Sequence, residues 1–202
     1  MQTGDGFGLQ GGFRNNEFPM LAVDRRNGTL YVVWNDGRNF SIQDLESPDG
    51  RYRFSDVLLS RSSDAGQTWS TPIRVNQDPL SHFLNEQPYG TDHYQPGVAV
   101  DKSGRVGVCW YDRRSDPKNF TFGRFCSFST DGGSSWHDSS SFIGSWQPFH
   151  AMDTFINPFY LGDYDTVASD LAENDNGFLG AFGFVDTNPQ VPNQDVAIIK
   201  FP

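Results

Sequence analysis

A chain that repeats a turn signature must repeat the unit built around that turn. Ser62-Ser63-Asp64-Ala65-Gly66-Gln67-Thr68-Trp69 and Ser129-Thr130-Asp131-Gly132-Gly133-Ser134-Ser135-Trp136 both read S-x-D-x-G-x-S/T-W. Each follows a short apolar run, Val57-Leu58-Leu59 before the first and Phe125-Cys126-Ser127-Phe128 before the second. Ser and Asp side chains hydrogen-bond nearby backbone N–H groups and stand in for missing ladder partners. Gly66 and Gly133 supply a positive φ that other residues resist. The Trp has a large apolar body to bury and one N–H to satisfy. The pattern predicts a tight hairpin turn pinned by an aromatic ring, with Asp64 and Asp131 structural rather than catalytic.

The repetition extends beyond the turn. Pro19-Met20-Leu21-Ala22-Val23-Asp24 returns as Pro96-Gly97-Val98-Ala99-Val100-Asp101 and, worn, as Asp165-Thr166-Val167-Ala168-Ser169-Asp170. A glycine-containing turn and a β-rich run follow each copy: Thr29 to Asp36, Arg105 to Asp112, and Phe178 to Asp186. A further apolar run comes next, at Asp56 to Arg61, Phe122 to Phe128 and Asp195 to Phe201. Alternation over short Val-, Phe-, Tyr- and Trp-rich runs with Gly, Asp, Asn and Ser between them signals strands. No segment keeps a helical period with caps, so helix should be scarce.

Strand, turn, strand, loop, strand, signature turn, strand is one four-stranded antiparallel blade. The fold class is therefore all-β, a β-propeller with about three blades in this chain. A single module spans 1–202, with blade one over about 13–77, blade two over about 93–144 and blade three over about 162–202. The third blade stops after its third strand. The two signatures and the blades around them resemble the Asp-box (BNR repeat) of sialidases and related β-propellers. The resemblance implies that the turns lie on the outer rim, away from any ligand.

Three blades do not close a ring, since closed propellers typically have four to eight. An open arc leaves strand edges and apolar blade faces in water, which natural proteins avoid. Either the chain is part of a longer one, or two copies meet to complete six blades, the number in the resembled sialidase propeller. Self-association is accordingly an expectation. Hydrophobic content of only 36% fits alternating strands, while 15% aromatic residues supply large side chains for the seams between blades. A formal charge of -10 argues against nucleic acid and anionic membrane surfaces as partners. No apolar run is long enough to cross a bilayer. Nor does the N-terminal sequence have the basic and apolar regions of a signal peptide; a secreted or cell-surface location follows from the resemblance alone. Two readings stay open for Cys109 and Cys126: a bridge across one hairpin, or two small buried residues.

In a propeller the innermost strand of each blade lines the axis, and ligands bind at one mouth of it. The P-x-x-A-V-D strands are the expected innermost ones. Residues leading into them then stand at the mouth: Asn16, Glu17 and Phe18; His93, Tyr94 and Gln95; Asp163, Tyr164 and Asp165. A second polar group recurs after the next strand, as Asp36 and Arg38, then Asp112, Arg113 and Arg114. Such a pair either shapes its loop as a local ion pair or aims a guanidinium fork at a carboxylate-bearing ligand.

Sialidases clamp the sugar carboxylate with three arginines and use an Asp as acid/base and a Glu-activated Tyr as nucleophile, a division of labour suited to an oxocarbenium-like transition state. The resemblance implies Tyr94 or Tyr164 as nucleophile, Asp163 or Asp165 as acid/base, and Glu17 or Glu86 as the tyrosine's partner. Arg14, Arg38, Arg113 and Arg114 are the candidates to engage an acidic sugar, with His93 and Gln95 beside them. Phe13-Arg14 begins like the family's Phe-Arg-Ile-Pro motif, but Asn15-Asn16 follows where Ile-Pro would stand. No cofactor and no metal is expected: His82, His93, His137 and His150 are scattered, and no acidic cluster has calcium-loop spacing. The reading is a sialidase-like glycoside hydrolase acting on carbohydrate at the axial mouth. The alternative is a non-catalytic glycan-binding or assembly module.

Overall fold

The computed structural model describes residues 18–39, 42–43, 51–52, 54–84, 87–119, 121–139, 143–146, 165–169, 177–186 and 193–202. Among the described residues there is no helix. In chain order the strands are β1 (Met20–Val23), β2 (Leu30–Asp36), β3 (Ile42–Gln43), β4 (Arg51–Tyr52), β5 (Asp56–Ser62), β6 (Ile73–Arg74), β7 (His82–Leu84) and β8 (Gln87–Tyr89). Then come β9 (His93–Val100), β10 (Val106–Asp112), β11 (Phe122–Ser129), β12 (His137–Asp138), β13 (Ile143–Trp146), β14 (Thr166–Ser169), β15 (Phe178–Asp186) and β16 (Asn193–Phe201).

They form three antiparallel sheets, ordered β1-β2-β5-β6, β9-β10-β11-β12 and β14-β15-β16. These are blades one, two and three of a β-propeller arc, and the sheets do not close into a ring. The inner strands β1, β9 and β14 share one cleft of about 750 Å³, lined by Leu21, Val98, Val100 and Val167 among others. A shared inner cleft is what sheets fanned about one axis produce. Two small hairpins, β3-β4 and β7-β8, sit in the connections; strands this short leave no periodic trace in a sequence. The outer edge of blade two also differs from a plain fourth strand. The long β11 pairs with β12 near one end and with β13 near the other, so two short strands cover its edge in tandem.

Side-chain alternation in β10 explains why the blades adhere. Val106, Val108 and Trp110 point toward blade one and join Tyr31, Val33, Val57, Leu59 and Trp136 in one buried cluster. Cys109 and Tyr111 point the other way and join Phe122, Val167, Phe178, Phe182, Ile199 and Phe201 in a second. Every residue of β10 is buried, as expected of a strand covered on both faces. Gly107 lets blade three approach, because a Cβ there would lie 2.6 Å from the Phe178 ring. Cys109 and Cys126 are register partners and form a disulfide. Closing a loop of this length contributes about 3 kcal/mol by restricting the unfolded chain.

The signature turns share one hydrogen-bond scheme. In the first, Ser62 Oγ donates to Asp64 Oδ1 (2.7 Å), Gly66 N–H donates to Ser62 Oγ (2.9 Å), and Thr68 N–H donates to Asp64 Oδ1 (2.9 Å). In the second, Ser129, Asp131, Gly133 and Ser135 repeat those bonds at 2.8 Å each. Bonds from the Thr68 and Ser135 hydroxyls and backbone hold both carboxyls below the usual carboxylate range, Asp64 at about 2. Gly66 and Gly133 have positive φ as the pattern requires, and so do the residues before them, Ala65 (58°) and Gly132 (71°). Alanine in the left-handed region costs about 1–2 kcal/mol. Ala65→Gly should therefore raise the unfolding free energy by about 0.5–1 kcal/mol after the added entropy of glycine in the unfolded chain. Urea denaturation measures this, and an unchanged or lower midpoint would contradict the strained turn.

Candidate active site at one end of the arc

The three inner strands run in the same direction, so the residues leading into them gather at one end of the arc. The C-terminal ends of β2 and β10, with Asp36 and Asp112, lie at that end too, because each pairs antiparallel with its inner strand. The signature turns lie at the opposite end. The fold thus separates the part of the sequence that fixes architecture from the part that carries titratable groups.

At the end of both second strands the sequence W-x-D-x-R builds the same device. Trp34 Nε1–H donates to Asp36 and Trp110 Nε1–H to Asp112, at 2.9 and 2.7 Å. The backbone N–H groups of Arg38 and Arg114 donate to the same two carboxylates at 2.8 Å, and both guanidinium groups pair with them as well. The Arg114 guanidinium also lies 3.8 Å from the Phe125 ring centroid. In both blades the Asp and Arg are a local ion pair that closes the loop.

His93 is locked into the seam between blades one and two. Its Nδ1 is 2.9 Å from the Ser55 carbonyl oxygen, and its Nε2 is 3.1 Å from Asp78 Oδ1 and 3.4 Å from Asp112 Oδ2. Both ring nitrogens therefore face acceptors, a geometry that only the doubly protonated ring satisfies. Burial opposes the charge, but the Asp112 and Asp78 carboxylates override it and raise the His93 pKa to about 9. Asp78 in turn is lowered well below the carboxylate range by His93, Asn76 and Arg114, against its own desolvation. Asn76 Nδ2–H donates to both Asp56 and Asp78 at 2.8 Å, tying the outer edge of blade one into the same network.

Arg113 and Tyr94 fill the next layer. Arg113, fully buried, donates from Nη1 to the Asn119 carbonyl (2.9 Å) and lies 3.6 Å from Asp92. Asn119 Nδ2–H donates to Asp92 at 2.7 Å. The Tyr94 ring sits 5.4 Å from the Arg113 guanidinium and packs against Tyr111 and Phe122. Burial raises the Tyr94 pKa.

Where the three blades meet, the backbone is strained. Between Cys109↔Gly97 and Tyr111↔Tyr94 the β9–β10 register shifts, so Gln95 and Pro96 together oppose Trp110. Pro96 has no N–H to give the ladder, which favours a bulge here. Gln95 sits in the left-handed region (φ 54°), and its N–H donates to Asn35 Oδ1 of blade one at 3.3 Å. Strain of this kind in a non-glycine residue costs about 1–3 kcal/mol and clusters at functional sites. Beside it, Arg124 of β11 donates from Nη1 to Asp165 Oδ2 at 3.0 Å. Its guanidinium lies 4.7 Å from the Tyr111 ring and 5.4 Å from Phe182. Arg124 Nε and Nη2 and Asn35 Nδ2 are buried with no hydrogen-bond partner among the described residues. Tyr111 donates to the Gly183 carbonyl at 2.7 Å and contacts Asp165 Oδ1 at 3.2 Å. Burial raises the Asp165 pKa, and the Arg124 charge offsets this only in part.

Of the residues singled out from sequence, His93, Tyr94, Gln95, Arg113, Arg114 and Asp165 lie at this end of the arc, in the seams between blades. Arg38 is there too, on the open side of blade one. Arg14, Glu17, Asp163 and Tyr164 lie outside the described residues. Arg124, Tyr111, Asp78 and Asp92 were missed. Arg124 carried a readable signal: it shares a strand face with Phe122 and Cys126, and a lone arginine on an apolar face needs a buried counter-charge. Among the described residues no group of three or more His, Cys, Asp or Glu side chains is placed to hold a metal ion.

No family model matches the chain, and no curated protein matches it. Solved structures similar to it include sialidases and glycoside hydrolases, and also a protein of unknown function from Dyadobacter fermentans. A Hadza microbial sialidase, Hz136, aligns at 20% identity and a TM-score of 0.48, covering 91% of this chain and 30% of its own. NanB sialidase from Streptococcus pneumoniae aligns at 13% and 0.46, covering 100% and 46%. Zg3597, a family 117 glycoside hydrolase from Zobellia galactanivorans, aligns at 14% and 0.45, covering 98% and 55%. The chain thus spans between 30% and 55% of the length of these proteins.

The His93 lock gives stability a pH dependence. A histidine whose folded pKa is raised contributes fully below its unfolded value near 6.5 and loses that contribution as pH rises through about 9. At 1.36 kcal/mol per pK unit the loss is on the order of 3 kcal/mol. Urea midpoints should fall between pH 7 and 10, and His93→Gln should be less stable at pH 7 with a flatter profile. A wild-type midpoint constant over that range would contradict the lock.

Proposed function

We propose that this chain is a glycan-handling propeller module of the Asp-box sialidase type, with its reaction centre where the three blades meet. The observation that carries this reading is Asp165, a nearly buried carboxyl at the lead-in to the third inner strand, with its pKa raised by burial. Hydrolysis of a glycosidic bond needs a carboxyl that still holds a proton near neutral pH to give to the leaving oxygen. The Tyr111 hydroxyl lies 2.7 Å from the Gly183 carbonyl and 3.2 Å from Asp165 Oδ1, and Arg124 Nη1 and the Gly183 N–H also point at the Asp165 carboxyl, which is thereby held in place at the junction.

Asp165 takes the acid/base role in this proposal, with Asp163 as the second candidate. Tyr94 is committed to the seam between blades, which leaves the nucleophile's part to Tyr164, next to Asp165 in sequence, with Glu17 as a candidate partner. Among the described arginines of the mouth, Arg38 is the half-exposed one and the one able to reach a ligand without breaking a buried network. Arg113 and Arg114 position the loops around it. The disulfide between Cys109 and Cys126 favours an oxidising compartment, in keeping with a secreted glycan-processing protein.

The Arg124–Asp165 ion pair also favours a second reading, a glycan-binding or assembly module in which these groups only join blades. A panel of aryl glycosides that includes a sialoside separates the two. Turnover of at least one substrate is expected, with Asp165→Asn lowering kcat by about 10²–10⁴-fold for poor leaving groups and less for activated ones. Tyr164→Phe should abolish turnover. No turnover by the folded chain, with saturable binding on a glycan array, would reject the enzyme and support the binding module.

A further inference from the structure

The two end blades expose faces that the repeat marks as blade-to-blade surfaces. In blade two, Val98 and Trp136 are buried against Tyr31, Val33, Val57 and Leu59 of blade one, with Val100 partly buried beside them. By the repeats Pro19–Asp24/Pro96–Asp101 and Ser62–Trp69/Ser129–Trp136, the equivalent residues of blade one are Leu21, Val23 and Trp69. Those three are 57%, 42% and 43% exposed. Blade one thus carries the same receiving face that blade two carries, with no blade among the described residues seated on it. At the other end, Ile199 and Phe201 of β16 face blade two, and Ile198, just before them on the opposite face of the strand, is 65% exposed. Ile198 lies on the side of its blade that corresponds to Leu59 in blade one and Cys126 in blade two, the sides already covered by a following blade.

Whatever covers Leu21, Val23 and Trp69 must therefore present a leading face like those of blades one to three. Among the described residues one such face is exposed, on blade three. We propose that a second copy of the chain supplies it. Two arcs meet head to tail at both ends, each placing the Ile198 side of its third blade on the Leu21–Trp69 side of the other's first. A two-fold axis relates the copies and both seams form at once, so no apolar face remains open. The new seams continue an interface that already occurs twice within the chain. Assembly also brings a second set of mouth residues around the shared axis.

Light scattering of the purified chain at micromolar concentration, with circular dichroism to verify folding, tests this without reference to any activity. The expected mass is twice the 22.7 kDa of one chain. Leu21→Asp and Ile198→Asp, both exposed and outside the mouth, should each give a folded species with the mass of a single chain. The double variant Leu21→Asp/Ile198→Lys should recover part of the dimer, since unlike ends then carry opposite charges. A folded wild-type monomer would overturn the proposal and assign these faces to another occupant, such as further blades of a longer polypeptide. Dissociation by only one of the two aspartate substitutions would overturn it as well, because like faces would then be the ones that meet.

Discussion

Everything in this fold depends on one strand being buried from both sides. The residues of β10 alternate between two seams, with Val106, Val108 and Trp110 serving one and Cys109 and Tyr111 the other. A side-chain period of two means that a slip of one residue would exchange the two sets and break both seams together. The disulfide to β11 and the bulge at Gln95 both fix that register. The outer strands face weaker demands. β6 and β12 have two residues each, and their role is to cover an edge.

The polar groups at the mouth follow from the same geometry. Blades wedge apart as they leave the axis, and at one end the seams are filled by ion pairs instead of aliphatic side chains. His93 with Asp78 and Asp112, Arg113 with Asp92, and Arg124 with Asp165 are all buried or nearly so. Buried pairs of this kind add little net stability, yet removing one partner costs about 3–5 kcal/mol. Their arrangement gives direction and order to a surface that an apolar seam would leave slippery. The strained backbone of Gln95, the incompletely bonded Arg124 and the raised pKa of Asp165 coincide at the junction of three blades. That coincidence is what favours this junction as the proposed reaction centre.

The sequence displayed the architecture well because the architecture is periodic. The turn signature, the P-x-x-A-V-D run and the aromatic-rich second strand each occur more than once, and the strands they imply are present. The tandem of β12 and β13 and the hairpins β3-β4 and β7-β8 were not legible, since two- to four-residue strands have no period to detect. At the mouth, the residues leading into the strands could be named from the repeat, but not their surroundings. Tyr94 read as a reactive phenol, and only the packing of Arg113, Tyr111 and Phe122 reveals it as part of a seam. His93 read as a ligand-facing group until its two ring nitrogens were found turned toward Ser55, Asp78 and Asp112. Arg124 was passed over because it stands inside an apolar strand, where its importance depends on Asp165, far away in the chain.

Native-state hydrogen exchange followed by NMR addresses the doubly buried strand most directly. Amides of β10 should be the slowest in the molecule and exchange only through global unfolding, with β9 and β11 close behind and β6 and β12 much faster. If β10 amides exchanged as readily as those of the outer strands, the radial arrangement of blades around a middle strand sealed on both faces would be wrong.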